Sequence, residues 1–271
     1  VGRVIAIANQ KGGVGKTTTA VNLAFALAEA GRSVLLVDLD PQGNATSGLT
    51  TVREDGGEAP PPGVVSKTIY DSLVVNTPLD EVIREVRPGL FLAASGGDLV
   101  GAEIELAVME GRERRLGSML EPVAPRYSYV LIDTPPSLGI LTLNALVAAD
   151  TVLVPMQCEY YALEGLSSLL ATIRKVRNAL RPSLEIEGLV LTMFDSRNRL
   201  SHEIAGEVRR HFPDKVFSSV IPRSVRMSES PSHGLSVLEY ETKSAGAERY
   251  RSLAMEIMER DGKAAPPETS A

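Results

Sequence analysis

The chain has 271 residues, 44% of them hydrophobic, and carries 28 Lys+Arg against 34 Asp+Glu for a formal net charge of −6. That length and apolar content suffice for a substantial core, and the negative balance argues against nucleic-acid binding driven by overall charge. No run approaches the roughly 18 apolar residues of a spanning helix, no basic leader precedes an apolar stretch, and a lone cysteine, Cys158, can form no internal disulfide or, by itself, an iron–sulfur site, so a reducing cytoplasm is the expected location.

In chain order, residues 4–8 form a short apolar run and residues 34–37 form a second, Val-Leu-Leu-Val, that ends at Asp38. Between them residues 17–30 are rich in Ala and Leu and read as a helix, with Gly31 placed to stop it. Strand, glycine loop, helix and strand make one βαβ unit. The loop is Asn9-Gln10-Lys11-Gly12-Gly13-Val14-Gly15-Lys16-Thr17-Thr18. Gly12, Gly13 and Gly15 let the backbone turn its N–H groups inward as a nest for anionic oxygens, and the helix that follows adds unpaired donors and its positive end. Lys16 is then expected to reach the β- and γ-phosphates of ATP, the Thr17 hydroxyl to ligate Mg²⁺, and Thr18 to anchor the α-phosphate. The common phosphate-loop pattern would put glycine at position 10, where this chain has Gln10, and it has a second lysine, Lys11, beside it. Lys11 either projects toward a nucleotide held by a facing copy or lies in solvent.

Ligands of open parallel sheets sit at the carboxyl ends of the strands, so acids that end apolar runs are the ones to examine. Asp38 and Asp133 both qualify, Asp133 as the expected acid holding Mg²⁺ and Asp38 as an organiser of its water shell. Asp40 lies farther along the turn Asp38-Leu39-Asp40-Pro41-Gln42-Gly43-Asn44, where it is expected to position the attacking water. A carboxylate is a weak base, so orientation and charge placement are its expected contribution. A second loop, Thr134-Pro135-Pro136-Ser137-Leu138-Gly139, follows Asp133. Two loops touching one γ-phosphate can be ordered by ATP and released after hydrolysis.

Residues 50–63, with Glu54-Asp55-Gly56-Gly57-Glu58 and Pro60-Pro61-Pro62, read as a polar surface insertion, and residues 64–125 carry little signal. Further strands are expected at 129–133, 151–155, 188–194 and 216–222, and helices at 163–180, 201–211 and 246–260. Continuous apolar runs suit parallel strands covered on both faces, and the expected architecture is a three-layer α/β domain with a mostly parallel sheet. Residues 1–261 are expected to form a single domain, followed by a disordered tail at 262–271 that has no apolar face for a membrane anchor. Between Arg197 and Arg226 seven basic residues stand against three acidic ones, a local excess in a chain that is negative overall.

The loops at 11–18, 37–44 and 133–139 resemble the deviant Walker A ATPases of the ParA/Soj partitioning family. Pro155-Met156-Gln157-Cys158-Glu159-Tyr160-Tyr161-Ala162-Leu163-Glu164-Gly165, Leu191-Thr192-Met193-Phe194-Asp195-Ser196-Arg197 and Ile221-Pro222-Arg223-Ser224-Val225-Arg226-Met227-Ser228-Glu229 look like its chromosomal, Soj-type members in particular. The resemblance implies a P-loop NTPase fold and a homodimer closed face to face by ATP, with Lys11 reaching the phosphates of the partner subunit. It implies that Lys16 and Lys11 serve the phosphates in catalysis and that Asp40 is essential for hydrolysis. It also implies an adenine pocket around residues 222–227, hence contacts from Pro222, Arg223 and Val225, and DNA contact by Arg197 and Arg226. Proteins of this kind bind double-stranded DNA without sequence preference as ATP dimers, associate with the nucleoid in that state, and are released when a ParB partner stimulates hydrolysis.

Overall fold

The computed structural model describes residues 2–50, 67–159 and 162–264, so the polar insertion expected at 50–63 lies almost wholly outside the described residues. In chain order the elements are β1 (Arg3–Ile7), α1 (Lys16–Glu29), β2 (Val34–Asp38), α2 (Asn44–Thr50), α3 (Ile69–Leu73), β3 (Arg84–Arg87), β4 (Leu90–Ala93), α4 (Leu99–Ala107), α5 (Arg115–Leu120), β5 (Tyr129–Asp133), α6 (Ile140–Ala148), β6 (Thr151–Gln157), α7 (Ala162–Ala179), β7 (Glu185–Phe194), α8 (Arg199–His211), β8 (Val216–Pro222), α9 (Val225–Glu229), α10 (Val237–Tyr240) and α11 (Ala245–Ala264). One sheet takes all the strands in the order β3-β4-β2-β5-β1-β6-β7-β8, and every neighbouring pair is parallel except the edge pair β3–β4.

The apolar runs are continuous because each central strand is buried on both faces. In β1, Val4 and Ala6 face one core while Ile5 and Ile7 face the other, and Leu35 and Val37 of β2 are likewise opposed to Val34 and Leu36. The first core is closed by α3 to α8, the second by α1, α2, α10 and α11, which completes the three layers. Leu23 and Leu27 of α1 are fully buried; truncating either to Ala would cost about 2–5 kcal/mol. Gly31, at φ 80°, follows the C-cap of α1 in the left-handed conformation that ends a helix without a Cβ penalty.

α11 packs on the sheet beside α1 and is fastened at both ends. Its buried Tyr250 hydroxyl lies 3.3 Å from Thr19 Oγ1, the Glu256 carboxylate accepts from the amides of Ser218 and Ser219, and Arg260 stacks over Phe217. The helix runs to Ala264, past the expected end at residue 260 and into the stretch read as tail; the remainder of that stretch lies outside the described residues. β3, β4 and α3 to α5 occupy the stretch that gave little signal in the sequence. β3 reads Arg-Glu-Val-Arg, a charged strand of the kind that protects a sheet edge, and β4 is only four residues long.

Candidate nucleotide-binding site

The turn from β1 into α1 depends on two glycines. Gly13 (φ 72°) and Gly15 (φ 83°) sit in the left-handed region, where a side chain would strain the backbone. Gly12 does not, and a Cβ there would meet only Pro136, at 3.9 Å, so the steric demand for glycine falls on positions 13 and 15. No side chain caps α1 at Gly15, which leaves its first-turn N–H groups for a ligand. Thr192 Oγ1 donates to the Val14 carbonyl at 2.8 Å and ties the loop to β7. Val14 itself is buried and contributes main chain rather than side chain.

A cavity of about 710 Å³ opens over this turn, lined by Gly12, Gly13, Gly15, Lys16, Thr17 and Thr18 together with Asp40 and Pro136. Thr192, Met193, Arg223, Val225, Met227 and Tyr250 line it as well. Of the residues expected around the base, Arg223 and Val225 line the cavity and Pro222, the last residue of β8, does not. Sequence reasoning missed Met193, a non-glycine residue at φ 47°, an uncommon conformation held here at the end of β7. Tyr250, on the helix expected at 246–260, was not among the expected site residues either.

The two strand-ending acids stand side by side, since Asp38 and Asp133 are register partners on β2 and β5. Both are fully buried. Neither oxygen of Asp133 has a hydrogen-bond partner, and burial, reinforced by the adjacent Asp38 charge, pushes its pKa well up; Thr17 and Lys16 pull the other way. Lys16 is buried too, and desolvation lowers its pKa against the attraction of Asp133 and Asp40. An orphaned carboxylate beside a threonine hydroxyl at a phosphate cradle fits Mg²⁺, which takes one or two protein oxygens and completes its shell from phosphates and water. Thr17 and Asp133 are the residues that would hold it.

Asp38, expected to organise the metal's water shell, is committed to its own loop. Its Oδ2 accepts from the Thr46 amide (2.8 Å) and hydroxyl (2.7 Å), and its Oδ1 accepts from the Asp40 amide (3.2 Å). Burial raises its pKa to about 6. A buried acid with a raised pKa stabilises the fold most when protonated, below its unfolded value of about 4, and that contribution is lost as pH rises through 6. The nucleotide-free protein is therefore expected to lose on the order of 3 kcal/mol of stability between pH 4 and 6 from this group. Denaturant unfolding at pH 4 and pH 7 measures it, and Asp38→Asn should shrink the step.

The same loop places Asp40 at the cavity. Asp40 Oδ1 accepts from the Gln42 amide at 3.0 Å, and its carbonyl accepts from Ser95 Oγ at 2.7 Å. The Ser95 amide in turn donates to Thr46 Oγ1, so the loop is fastened to the segment after β4. Gly43, at φ 62°, makes the turn into α2.

In the single subunit the Lys11 ammonium pairs with Glu159 Oε2 at 2.6 Å, just beyond β6. The pair is partly exposed, so after solvent screening it is worth no more than about 1 kcal/mol. The two arginines expected at DNA are also paired. Arg197 donates to Asp195, whose pKa its hydrogen bonds pull down to about 2, and Arg226 donates to Glu229. These acids, one just before the counted window and one just after it, reduce the local positive excess that the sequence suggested.

A glycine turn over a helix N-terminus, a buried lysine and a strand-ending acid define a P-loop nucleotide-binding domain. Residues 2–186 match the family described as an AAA domain. The chain is 51% identical over 268 residues to the chromosome partitioning protein ParA of Myxococcus xanthus, covering 98% of this chain and 91% of that one. It is 50% identical over 258 residues to the sporulation initiation inhibitor protein Soj of Bacillus subtilis, covering 95% and 98%. Among solved structures, cobyrinic acid a,c-diamide synthase from Mycobacterium smegmatis with bound ATP analog and magnesium superposes with a TM-score of 0.82 at 36% identity, over 98% of each chain. This chain belongs to the ParA/Soj family of chromosome-partitioning ATPases.

Proposed function

We propose that this chain is an ATP-driven switch for segregating a chromosome or plasmid, working as a single domain over residues 1–261. The observation that carries the reading is the convergence of two loops on the phosphate turn: Asp38 and Asp133 are adjacent in the sheet, and each begins a loop that reaches the cavity, through Asp40 and Pro136 respectively. A γ-phosphate that engages both loops stabilises one arrangement of them, and its loss releases it. Bound Mg²⁺ would neutralise charge on the phosphate oxygens. Lys16 holds a positive charge against them from a desolvated position, where it counts for more than in water. Asp40 orients the attacking water from a loop that Ser95 and Thr46 hold in place.

Lys11 leaves Glu159 for the phosphates of a facing copy, and the ATP-bound homodimer so formed brings two weak basic patches together. Phosphate contacts set affinity and salt sensitivity, so a patch too small in one subunit becomes effective in two. DNA binding is accordingly sequence-independent, with the protein on the nucleoid in its ATP state and in the cytoplasm otherwise. A ParB-type centromere-binding partner stimulates hydrolysis and release. Among the described residues no helix is long and apolar enough to cross a membrane. The test is retention of duplex DNA at low and moderate salt with ATP·Mg²⁺ and with ADP: the ATP form is expected to bind and to weaken as salt rises, and equal affinity in the two nucleotide states would contradict the proposal.

A further inference from the structure

A second cavity, of about 510 Å³, opens between α3 and α5 and shares no lining residue with the nucleotide site. Pro78, Leu79, Met119, Pro122 and Val123 give it apolar walls. Ser72 of α3 lines it too, and the Ser72 hydroxyl is buried with no hydrogen-bond partner. The large majority of buried hydroxyls in folded proteins are paired, because an unmet one keeps its desolvation cost, so this one points to a partner supplied from the cavity. Arg115, also on the lining, is held by neutral groups: its Nε donates to the Leu73 carbonyl and its Nη2 to Asn76 Oδ1. Asn76 does this from φ 64°, a left-handed backbone that asparagine adopts more readily than most residues with a side chain. Arg114 donates to the Leu180 carbonyl at 3.4 Å. Of the two acids on the lining, Asp80 pairs with Arg126, while Glu110, Arg114 and Arg115 form no ion pair among the described residues. Two guanidinium groups against the one uncommitted carboxylate leave the cavity with positive charge in excess.

We infer that this cavity is a binding site for a small organic anion, a carboxylate or phosphate carried on an apolar body. Arg114 and Arg115 face the anionic oxygens, the Ser72 hydroxyl gains the partner it lacks, and the apolar walls take the body. A concave, mainly apolar site with a few convergent polar groups, within the range of about 300–1,000 Å³, is the ordinary form of a small-ligand pocket. Charge disfavours a cation here, and a bare inorganic anion would leave the walls uncovered.

Each wall of the cavity is fastened to one loop of the nucleotide site. α3 begins at Ile69, whose amide donates to the Ala94 carbonyl at 2.8 Å, next to the Ser95 that holds the Asp40 carbonyl. α5 is tied through the buried Asn144 of α6. Its Oδ1 accepts from the Leu116 amide at 3.1 Å, and its Nδ2 donates to the carbonyls of Arg112 and Ile140 at 2.7 and 2.9 Å. Ile140 opens α6 directly after the 134–139 loop. Coupling between two sites is reciprocal, so loops that rearrange between the ATP and ADP states give the anion a different affinity in each. This consequence rests on the switch reading; the site itself does not.

Isothermal titration calorimetry on the full chain tests the site, with ADP·Mg²⁺ saturating the nucleotide cavity so that the phosphate turn is occupied. The probes are phenyl phosphate and benzoate, with benzylamine and inorganic phosphate as controls. At least one of the two aromatic anions is expected to bind with a Kd of about 1 mM or tighter, within reach of a ligand of that size, and the stronger of them names the head group. Both controls should bind at least about tenfold more weakly, one for want of the right charge and the other for want of an apolar body. Ser72→Ala and Arg114→Gln should each weaken the anion by about fivefold or more, the loss of one hydrogen bond to a charged group. Neither change threatens the fold: the first removes an unpaired hydroxyl and should leave thermal stability equal or raised, and the second alters an exposed side chain. Failure of both anions to bind, equal binding of either control, or binding unaltered in both variants would overturn the inference. The same titration on Asp40→Ala, with ATP·Mg²⁺ and then with ADP·Mg²⁺, reads the link to the loops, where the two Kd values are expected to differ by about fivefold or more. Equal values would remove the link while the site stands, and failure of ATP-dependent DNA binding in the wild type would fall on the switch reading alone.

Discussion

Asp40→Ala should retain ATP and lose partner-stimulated phosphate release by at least about 10²-fold, the cost of removing one preorganised polar group from a reacting centre. The geometry makes the effect specific to turnover. Asp40 is 6% exposed, lines the cavity, and is held by the Gln42 amide on its carboxylate and by Ser95 on its carbonyl. The carbonyl contact and the Asp38–Thr46 clasp survive removal of the carboxylate, so the loop keeps its anchor. Phosphate release under multiple turnover, set beside nucleotide binding by the same variant, reads the two apart; equal release by Asp40→Ala and wild type would remove Asp40 from its assigned role.

The second large effect is expected at DNA. Replacing Arg197 and Arg226 with Glu in both subunits removes four positive charges from an ATP dimer and puts four negative ones beside Asp195 and Glu229. Affinity is expected to fall at least about 10²-fold and the salt slope to drop by roughly one per lost phosphate contact. Both arginines are exposed and their ion pairs contribute little to the fold, so unfolding should be unchanged. The pairing also predicts a graded result: freeing the arginines with Asp195→Asn or Glu229→Gln should strengthen binding. A filter or shift assay across a salt series checks all of these variants, and an unaltered salt slope in the double reversal would place the DNA elsewhere.

How much of this could be read from the chain differs by element. The β1 turn, β2 and β5 were legible because local chemistry dictates them: glycine at positive φ, and an acid at the end of an apolar run buried on both faces. β3, β4 and α3 to α5 were not, because a charged four-residue edge strand and helices of five to nine residues carry too few periods to stand out. At the site, the glycine turn that lines the cavity followed from spacing, whereas Met193, Tyr250 and the Ser95 tether come from distant parts of the chain that only the folded sheet brings together. Lys11 shows the same boundary in one residue. Its special place beside the glycines was visible, but Glu159, 148 positions away, decides where it rests in the monomer.

Central to the account is that a triphosphate, and not a diphosphate, pairs two copies of this chain. Mass by light scattering of the Asp40→Ala protein, in which turnover is blocked, tests it directly at several protein concentrations with ATP·Mg²⁺ and with ADP·Mg²⁺. A dimer with ATP and a monomer with ADP is the predicted result, with Lys11→Ala remaining monomeric in both. A chain that stays monomeric with ATP·Mg²⁺ at every concentration would contradict it.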